Sequence, residues 1–237
     1  MSHQGFFVSD LHLFSRRSQA AKHAQALHAA AGKAKTFVLG GDIFDFRWTT
    51  LKSVAATVDA ATDWLAQLAA QHPGCEFHFV LGNHDHHEEF LNPLAELCDS
   101  VPNLSCHDYY LRLGHCLFLH GDIADQPMTP ETLGKRRSRG LQHAKKGRAS
   151  NLLYDLVVQA RIHKVVATLK HGKRQVAERI FNYAEEIGHG PSSGLQHVYF
   201  GHTHRAMSNY EFGGLRFHNG GAPIKGLKFR IVETEVA

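Results

Sequence analysis

The hydrophobic and polar positions of this chain follow one layout five times: a short apolar run ends, and Asp, Asn or His follows at once. The runs are rich in β-branched and aromatic residues and close on turn-forming residues. The five stretches occupy residues 6–12, 37–42, 80–85, 117–122 and 198–204. Short runs of this composition predict strands that are buried on both faces, as in parallel sheets.

Between these stretches the apolar residues change to helical spacing. Residues 18–33 are Ala-rich, and apolar residues recur at steps of three and four along 49–71, as on the buried face of an amphipathic helix. Residues 88–98 and 173–187 predict two further helices. A strand, a helix and a strand within about forty residues form a βαβ unit, which requires a parallel strand pair. The alternation predicts an α/β fold.

Shorter β segments are predicted at 109–119, with a turn at Gly114, and at 207–212, 215–218 and 227–233. The glycines and prolines between these segments are typical of hairpins and bends. A second sheet packed on the first would accommodate the three C-terminal segments.

The segment from about 125 to 190 breaks the alternation, because it contains no buried-strand run. Apolar residues at helical spacing predict a helix at 149–170 within it. We interpret residues 1–237 as a single domain, with this segment as a helical, basic insert, or cap, between strands. Ordinary crossover helices are the alternative interpretation.

Positive charge is concentrated in the insert. Residues 135–179 contain 13 Lys and Arg and two acidic residues, a net +11, whereas the whole chain carries +4. A basic segment on an otherwise acidic body indicates an anionic partner. We therefore take Arg136, Arg137 and Arg139 as candidates for holding substrate phosphate.

The sequence also bears on location. No apolar run approaches the roughly 20 residues of a spanning helix, and the first strand begins too near Met1 for a signal peptide. The four cysteines form no C-x-x-C pair and fit reduced thiols. We therefore expect a cytoplasmic protein.

Side chains with metal chemistry stand at all five strand ends. The side chains that these ends offer are Asp10, His12, Asp42, Asn83, His84, His120, Asp122, His202 and His204. Ligand crevices in open α/β sheets lie beyond the carboxyl ends of the strands, so we expect these side chains to converge. A single Asp or His at such a position is commonly a helix cap or a surface group, but five such endings together indicate a site.

Mixed imidazole and carboxylate ligands without thiolate suit divalent Mn, with Fe or Zn as alternatives. A set of this size is too large for one ion and suits two, with the centrally placed Asp42 as the bridge. Such a pair activates a water and stabilises the entering and leaving oxygens at phosphorus, which predicts hydrolysis of a phosphoester or pyrophosphate bond. The chain has no Gly-x-x-x-x-Gly-Lys-Ser/Thr loop, which argues against a P-loop nucleotidase.

Five short motifs carry a family resemblance. In order along the chain they are Asp10-x-His12, Gly41-Asp42-x-x-Asp45, Gly82-Asn83-His84-Asp85, His120-Gly121-Asp122 and Gly201-His202-x-His204. The series resembles the calcineurin-like metallophosphoesterases. The resemblance implies a four-layer αββα sandwich, a dinuclear metal centre and hydrolysis by metal-bound hydroxide.

The resemblance also implies roles for individual residues. One metal would be bound by Asp10, His12, Asp42 and His204, and the other by Asp42, Asn83, His120 and His202. His84 matches the histidine that protonates or stabilises the leaving oxygen without binding metal, and Asp45 matches the acid that orients it. Asp122 is not a ligand in the family pattern, and we expect it either to be structural or to support the ligands from behind.

Within the family, the residues at 9–13 and 41–45, together with Trp48 and the long insert, are similar to the UDP-2,3-diacylglucosamine pyrophosphohydrolases of lipid A synthesis. This similarity implies a nucleotide-lipid substrate, cleaved to UMP and lipid X. It also implies a cap that covers acyl chains, with peripheral contact at the inner face of the membrane.

Two alternatives remain open. One is a nuclease or cyclic nucleotide phosphodiesterase of the same fold, whose basic segment would bind a phosphate backbone of nucleic acid. The other is a non-catalytic scaffold that binds partners through the cap.

Overall fold

The computed structural model describes residues 4–142, 145–146 and 172–236. Within these ranges the strands, numbered in chain order, form two five-stranded sheets. The first sheet has the spatial order β10 (Val232–Thr234), β1 (Gly5–Val8), β2 (Thr36–Gly40), β3 (Glu76–Val80) and β4 (Leu104–His107). Strands β1 to β4 are parallel, and β10 is an antiparallel edge. The parallel pairing of β1 with β2 confirms the predicted βαβ unit.

The second sheet has the order β5 (Tyr110–Leu113), β6 (Cys116–Leu119), β7 (His197–Phe200), β9 (Leu215–Asn219) and β8 (Met207–Phe212). Strand β7 is parallel to its neighbours β6 and β9, whereas β5 and β8 are antiparallel edges. The predicted second sheet is therefore present. Of the segment predicted at 227–233, only the last two residues lie in a strand, and that strand is β10, which pairs with β1 in the first sheet.

The five α-helices of the described ranges cover the outer faces of the sheets. Helices α1 (Ala24–Ala31), α2 (Val54–Gln71) and α3 (Glu88–Ser100) pack on the first sheet, and α4 (Pro130–Ser138) and α5 (Lys173–Glu186) pack on the second. Side chains such as Phe7, Phe118 and Tyr199 fill the layer between the sheets. The order helix, sheet, sheet, helix confirms the predicted α/β class and the four-layer sandwich.

Helix α2 illustrates how the sequence sets these boundaries. Ser53 caps the helix, because its side-chain oxygen accepts a hydrogen bond of 3.1 Å from the backbone N–H of Ala56. Val58, Ala61 and Leu65 then recur on the buried face. The helix begins after this cap, and so five residues later than the apolar spacing predicted.

The predicted helix at 149–170 lies outside the described residues, and the insert as a unit stays a prediction. Within the insert, α4 precedes the predicted helix and α5 follows it. Helix α5 confirms the helix predicted at 173–187. Among the described helices, none combines the length and the apolar character that crossing a bilayer requires.

Two of the four cysteines depart from the expectation of reduced thiols. A disulfide joins Cys98 in α3 to Cys106 in β4, with the Cα atoms 6.3 Å apart. Cys75 and Cys116 are buried and free, and burial raises the pKa of each thiol to about 12. The expectation of four reduced thiols is therefore wrong for Cys98 and Cys106.

A pair of histidines lies beside Tyr199 in the layer between the sheets. His197 in β7 and His218 in β9 are each 5% exposed, and Nδ1 of His197 lies 3.1 Å from Nε2 of His218. The ring of His218 also stacks on Tyr199, with ring centroids 4.6 Å apart. Burial and the neighbouring His197 lower the pKa of His218 to about 4, so this ring is neutral at pH 7.

This histidine makes stability depend on pH. In the unfolded chain His218 takes up a proton as the pH falls through about 6.5, but the folded protein resists protonation until about pH 4. The contribution of neutral His218 to the free energy of unfolding is therefore fully present above pH 7. About 1–2 kcal/mol of the free energy of unfolding is lost through this residue between pH 7 and pH 5. We expect His218→Phe to remove this loss, measured by urea unfolding of the metal-free proteins at both pH values. An equal loss in the variant and the wild type would contradict the assignment.

Candidate metal centre

The loops after β1, β2 and β3 in the first sheet and after β6 and β7 in the second meet at one edge of the sandwich. They bring together all seven candidate ligands. Asp10, His12 and His120 are 0% exposed, and Asp42 is 2% exposed. The strand ends alone predicted this convergence, and the structure adds that the ligands come from two sheets rather than one.

Asp10, His12 and His204 form one group, the first triad, whose ligand atoms all lie within 4.8 Å of one another. Nε2 of His204 lies 3.1 Å from Nε2 of His12 and 3.3 Å from Oδ1 of Asp10. The carboxylate of Asp10 also accepts hydrogen bonds from the backbone N–H of His202, at 2.9 Å, and the hydroxyl of Ser9, at 2.6 Å. These bonds fix the carboxylate toward the centre.

Asp42, His120 and His202 form the second triad, defined by the same distance. Nε2 of His120 lies 3.3 Å from Oδ2 of Asp42, and its Nδ1 faces the carbonyl oxygen of Gly40 at 3.2 Å. Asn83 completes the group, because its Oδ1 lies 3.1 Å from Nε2 of His120 and 3.0 Å from Nδ1 of His202. Four donor side chains thus face one point.

Asp42 lies where the groups meet. Besides its contacts within the second triad, it forms a third cluster with His12 and His84, again within 4.8 Å. A carboxylate in this position can share its two oxygens between two ions. This is the place that the predicted bridge requires, and the donor set fits a divalent metal centre.

The electrostatics of the site also fit a cation. Burial works against a charged imidazole at His120, yet Asp42 and Asp10 raise its pKa to about 10. Burial likewise works against a charged carboxylate at Asp42, but the surrounding histidines, His120 first, hold its pKa well below the ordinary value. The field at this point therefore favours positive charge beside an ionised carboxylate.

Five candidate ligands have a left-handed backbone conformation. The φ angle is 55° at Asp10, 46° at His12, 52° at Asp42, 63° at His202 and 53° at His204. Residues other than glycine adopt this conformation rarely, at a cost of about 1–3 kcal/mol each. The N–H groups of Asp10 and His12 donate to carbonyl oxygens of the loop after β2, each over 2.9 Å, and so hold the strained loops together.

Two motif glycines are required by the close approach of these loops. A Cβ at Gly82 would overlap the backbone and the carboxylate of Asp42. A Cβ at Gly201 would overlap the side chains of Asp10 and Ser9. The glycines of these two motifs therefore make room for the candidate ligands.

Asp45 organises the residues beside the ligands. It is 0% exposed, its Oδ1 lies 3.1 Å from Nδ1 of His84, and its Oδ2 accepts a 2.8 Å hydrogen bond from Arg17. Burial would raise the pKa of Asp45, but His84 and Arg17 hold it well below its ordinary value. Burial would lower the pKa of His84, but Asp45 and Asp42 raise it. The structure thus places Asp45 against His84, the arrangement that the family resemblance implied.

Two buried residues at the centre were not assigned a role from the sequence. Nη2 of Arg17 lies 3.0 Å from Nδ1 of His12, in addition to its bond with Asp45. Asp85 accepts hydrogen bonds from the backbone N–H groups of Phe44, at 2.8 Å, and Gly82, at 3.0 Å, and so joins the loops after β2 and β3. Asp85 stands in a motif that could have suggested it, whereas Arg17 stands in none.

Arg137, one of the three arginines predicted to hold phosphate, is buried rather than exposed to a substrate. It is 3% exposed, and it donates to both carboxylate oxygens of Asp122, from Nη2 at 2.9 Å and from Nε at 3.0 Å. Its third nitrogen donates to the carbonyl oxygen of Asp108. Burial would raise the pKa of Asp122, but Arg137 lowers it to about 2. The guanidinium is therefore committed to a buried ion pair, which gives Asp122 a structural role.

Arg136 and Arg139 do reach the surface beside the centre. With Lys135 they line an open cavity of about 560 Å³, which we call the basic groove. Asp125 lines the groove as well and connects it to the centre, because its Oδ2 lies 3.2 Å from Nε2 of His202. Two of the three arginines predicted to hold phosphate thus border a cavity next to the candidate ligands.

Comparisons with known proteins bear on this site. The family model of calcineurin-like phosphoesterases matches residues 6–206. No curated protein matches the sequence. One solved structure is similar over 100% of both chains, at 12% identity and a TM-score of 0.51, which is a likeness of fold.

Two further solved structures are similar with lower TM-scores. A Streptococcus pneumoniae protein described as a predicted phosphoesterase is 11% identical, over 99% of this chain and 84% of that one, with a TM-score of 0.41. Nuclease MPE of Pseudomonas putida is 21% identical, over 52% of this chain and 56% of that one, with a TM-score of 0.35.

The family match spans most of the chain and contains all five motifs, with every candidate ligand. It therefore agrees with the sandwich fold and with the two triads that share one edge of the sheets. The chain belongs to the calcineurin-like phosphoesterase family and is a hydrolase of phosphoric ester bonds.

Proposed function

We propose that this phosphoesterase cleaves a phosphodiester or pyrophosphate bond at a two-metal centre, with His84 as the acid for the leaving oxygen. The observation that carries the proposal is the position of Asp42 between the triads, with the pair of Asp45 and His84 beside it. One ion would be held by Asp10, His12, Asp42 and His204, and the other by Asp42, Asn83, His120 and His202. When bound, the ions supply an activated water and neutralise the charge on the phosphoryl oxygens.

Manganese is the first metal to test. The donor atoms are imidazole nitrogen and carboxylate or amide oxygen, and such sites do not select among manganese, iron and zinc by affinity alone. Loading the metal-free protein separately with each ion and measuring hydrolysis would identify the ions that support turnover.

The surroundings of His84 support a role for it on the leaving group. Asp45 engages Nδ1, so the proton available for a substrate oxygen is the one on Nε2. The side chain of His84 is 20% exposed, and it borders a small cavity together with Asn83. The ring can therefore be reached by a substrate while its orientation is fixed from behind.

The basic groove supports an anionic substrate that extends past the cleaved bond. Arg136 has a side chain that is 39% exposed, and Arg139 borders both the groove and a neighbouring cavity of about 580 Å³. Charge-assisted hydrogen bonds from guanidinium groups are strong and suit phosphate. A second phosphate, or a phosphate backbone, would lie along these side chains.

Two substrate classes fit this description. A nucleotide-lipid pyrophosphate such as UDP-2,3-diacylglucosamine places two phosphates side by side, and the cap would then cover acyl chains next to the membrane. A nucleic acid or cyclic nucleotide is the second candidate, and the cluster of Lys135, Arg136 and Arg139 favours it.

A side-by-side assay tests the proposal. Metal-loaded protein would be given UDP-2,3-diacylglucosamine, single-stranded and double-stranded nucleic acid, a cyclic nucleotide and an aryl phosphodiester. We expect metal-dependent cleavage of at least one, with UMP release identifying the nucleotide-lipid class. Steep inhibition by salt would instead identify a phosphate-backbone substrate. Metal-loaded protein that leaves every substrate intact would favour the scaffold alternative.

Charge reversal in the groove is expected to weaken substrate binding. Each guanidinium bond to phosphate contributes about 1.5–3 kcal/mol, so Arg139→Glu should raise KM at least tenfold while kcat changes little. Lys33→Glu is the matched control, because this exposed residue precedes β2 and lies at the opposite end of the sheet from the centre. Steady-state kinetics on the preferred substrate measures both constants. An equal rise of KM in the control would show a general effect of charge instead.

A further inference from the structure

His202 has a partner at each nitrogen of its ring. Nδ1 faces the centre, 3.0 Å from Oδ1 of Asn83. Nε2 lies 3.2 Å from Oδ2 of Asp125. The side chains of His202 and Asp125 are only 15% and 11% exposed, so solvent has little access to this contact.

The two contacts differ in chemistry. A carboxylate is an acceptor only, so Asp125 is satisfied when Nε2 of His202 carries the proton. The neutral ring then has its lone pair on Nδ1, which faces another acceptor, Oδ1 of Asn83. Two acceptors that face each other are stabilised by a cation between them. A carboxylate behind a metal-binding imidazole commonly fixes the ring and its tautomer.

We propose that Asp125 is a positioning residue for the second ion: it holds the proton on Nε2 of His202 and so directs Nδ1 to the metal. The inference rests on the proposed two-metal function and deepens it. Asp125 stands three residues after Asp122, in the loop that leads from β6 to α4. None of the five family motifs includes it.

Arg136 shares this carboxylate. It forms an ion pair with Oδ2 of Asp125, the same oxygen that faces His202. The basic groove and the second triad are therefore joined through one side chain. A substitution at Arg136 removes one partner of Asp125 without removing the contact with His202, which makes it a matched control.

Isothermal titration of the metal-free proteins with Mn²⁺ tests the inference without any activity measurement. We expect Asp125→Ala to weaken one of two binding events by about 10–100-fold and to leave the other unchanged. Asp125→Asn keeps an acceptor oxygen without the charge, so its loss should be smaller. Arg136→Gln should bind both ions within about twofold of the wild type. Circular dichroism of the metal-free variants checks that they are folded.

Two results would overturn the inference. One is wild-type affinity for both ions in Asp125→Ala. The other is equal weakening of both ions in Asp125→Ala and Asp125→Asn, which would point to a general structural role. Failure of the proposed function looks different, because the wild-type protein itself would then bind fewer than two ions.

Discussion

Replacing His84 with alanine is expected to lower turnover on a substrate with a poor leaving group by about 10²–10⁴-fold, with metal content unchanged. His84 is oriented by Asp45 over 3.1 Å and borders a cavity at the centre, and the proposed ligand set does not need it. Loss of the acid should matter most when the leaving oxygen is strongly basic. An aryl ester with an acidic phenol should therefore lose much less.

The measurement is a series of esters with leaving groups of increasing pKa, assayed with the wild type and with His84→Ala, alongside metal analysis of both. Asp45→Asn is the companion variant, since it keeps His84 but weakens its orientation. An equal loss across the series would remove the acid role. Loss of an ion from His84→Ala would instead make His84 a ligand, in keeping with its cluster with His12 and Asp42.

Replacing Arg137 with methionine is expected to destabilise the fold by about 3–5 kcal/mol, because it leaves the carboxylate of Asp122 buried without its partner. Arg137 is 3% exposed and Asp122 is 1% exposed, so water cannot compensate. The Arg137 side chain also lies over the ring of Tyr109, with Cζ 5.3 Å from the centroid, and this packing would be lost too.

Urea unfolding of the metal-free protein measures the effect. Arg139→Met is the control, because a surface substitution on the same segment should stay within about 0.5 kcal/mol. Replacing both partners, in Asp122→Asn with Arg137→Met, should recover part of the loss, since no unpaired charge is then buried. A small change in stability together with a large rise in KM would restore the interpretation of Arg137 as a phosphate-binding residue.

Much of the fold could be predicted because its signals are local. Each of β1, β2, β3, β6 and β7 is an apolar run that ends at a polar motif. Strand β4 was missed, because Ser105 and His107 interrupt its apolar character and it follows α3 without a run of its own. The segment at 227–233 was assigned to the wrong sheet, since pairing between β10 and β1 joins residues more than two hundred positions apart.

The candidate ligands could also be predicted from the sequence, whereas the residues that contact them from behind could not. Arg17 and Asp125 act through contacts with Asp45 and His202 that only the folded chain creates. Arg137 was assigned to the wrong environment. A basic segment predicts charge at the surface, but the sequence does not reveal that one of its arginines pairs with the buried carboxylate of Asp122. Local sequence patterns identify the candidate ligands, whereas tertiary packing determines which side chains contact and orient them.

The mixed origin of the two triads has a mechanical consequence. Asp10 and His12 come from the first sheet and His204 from the second, and Asp42 likewise meets His120 and His202 from the opposite sheet. A cation bound in either triad therefore fastens the two halves of the sandwich at their shared edge. Removal of such a cation by a chelator would then loosen the contact between the two sheets at this edge.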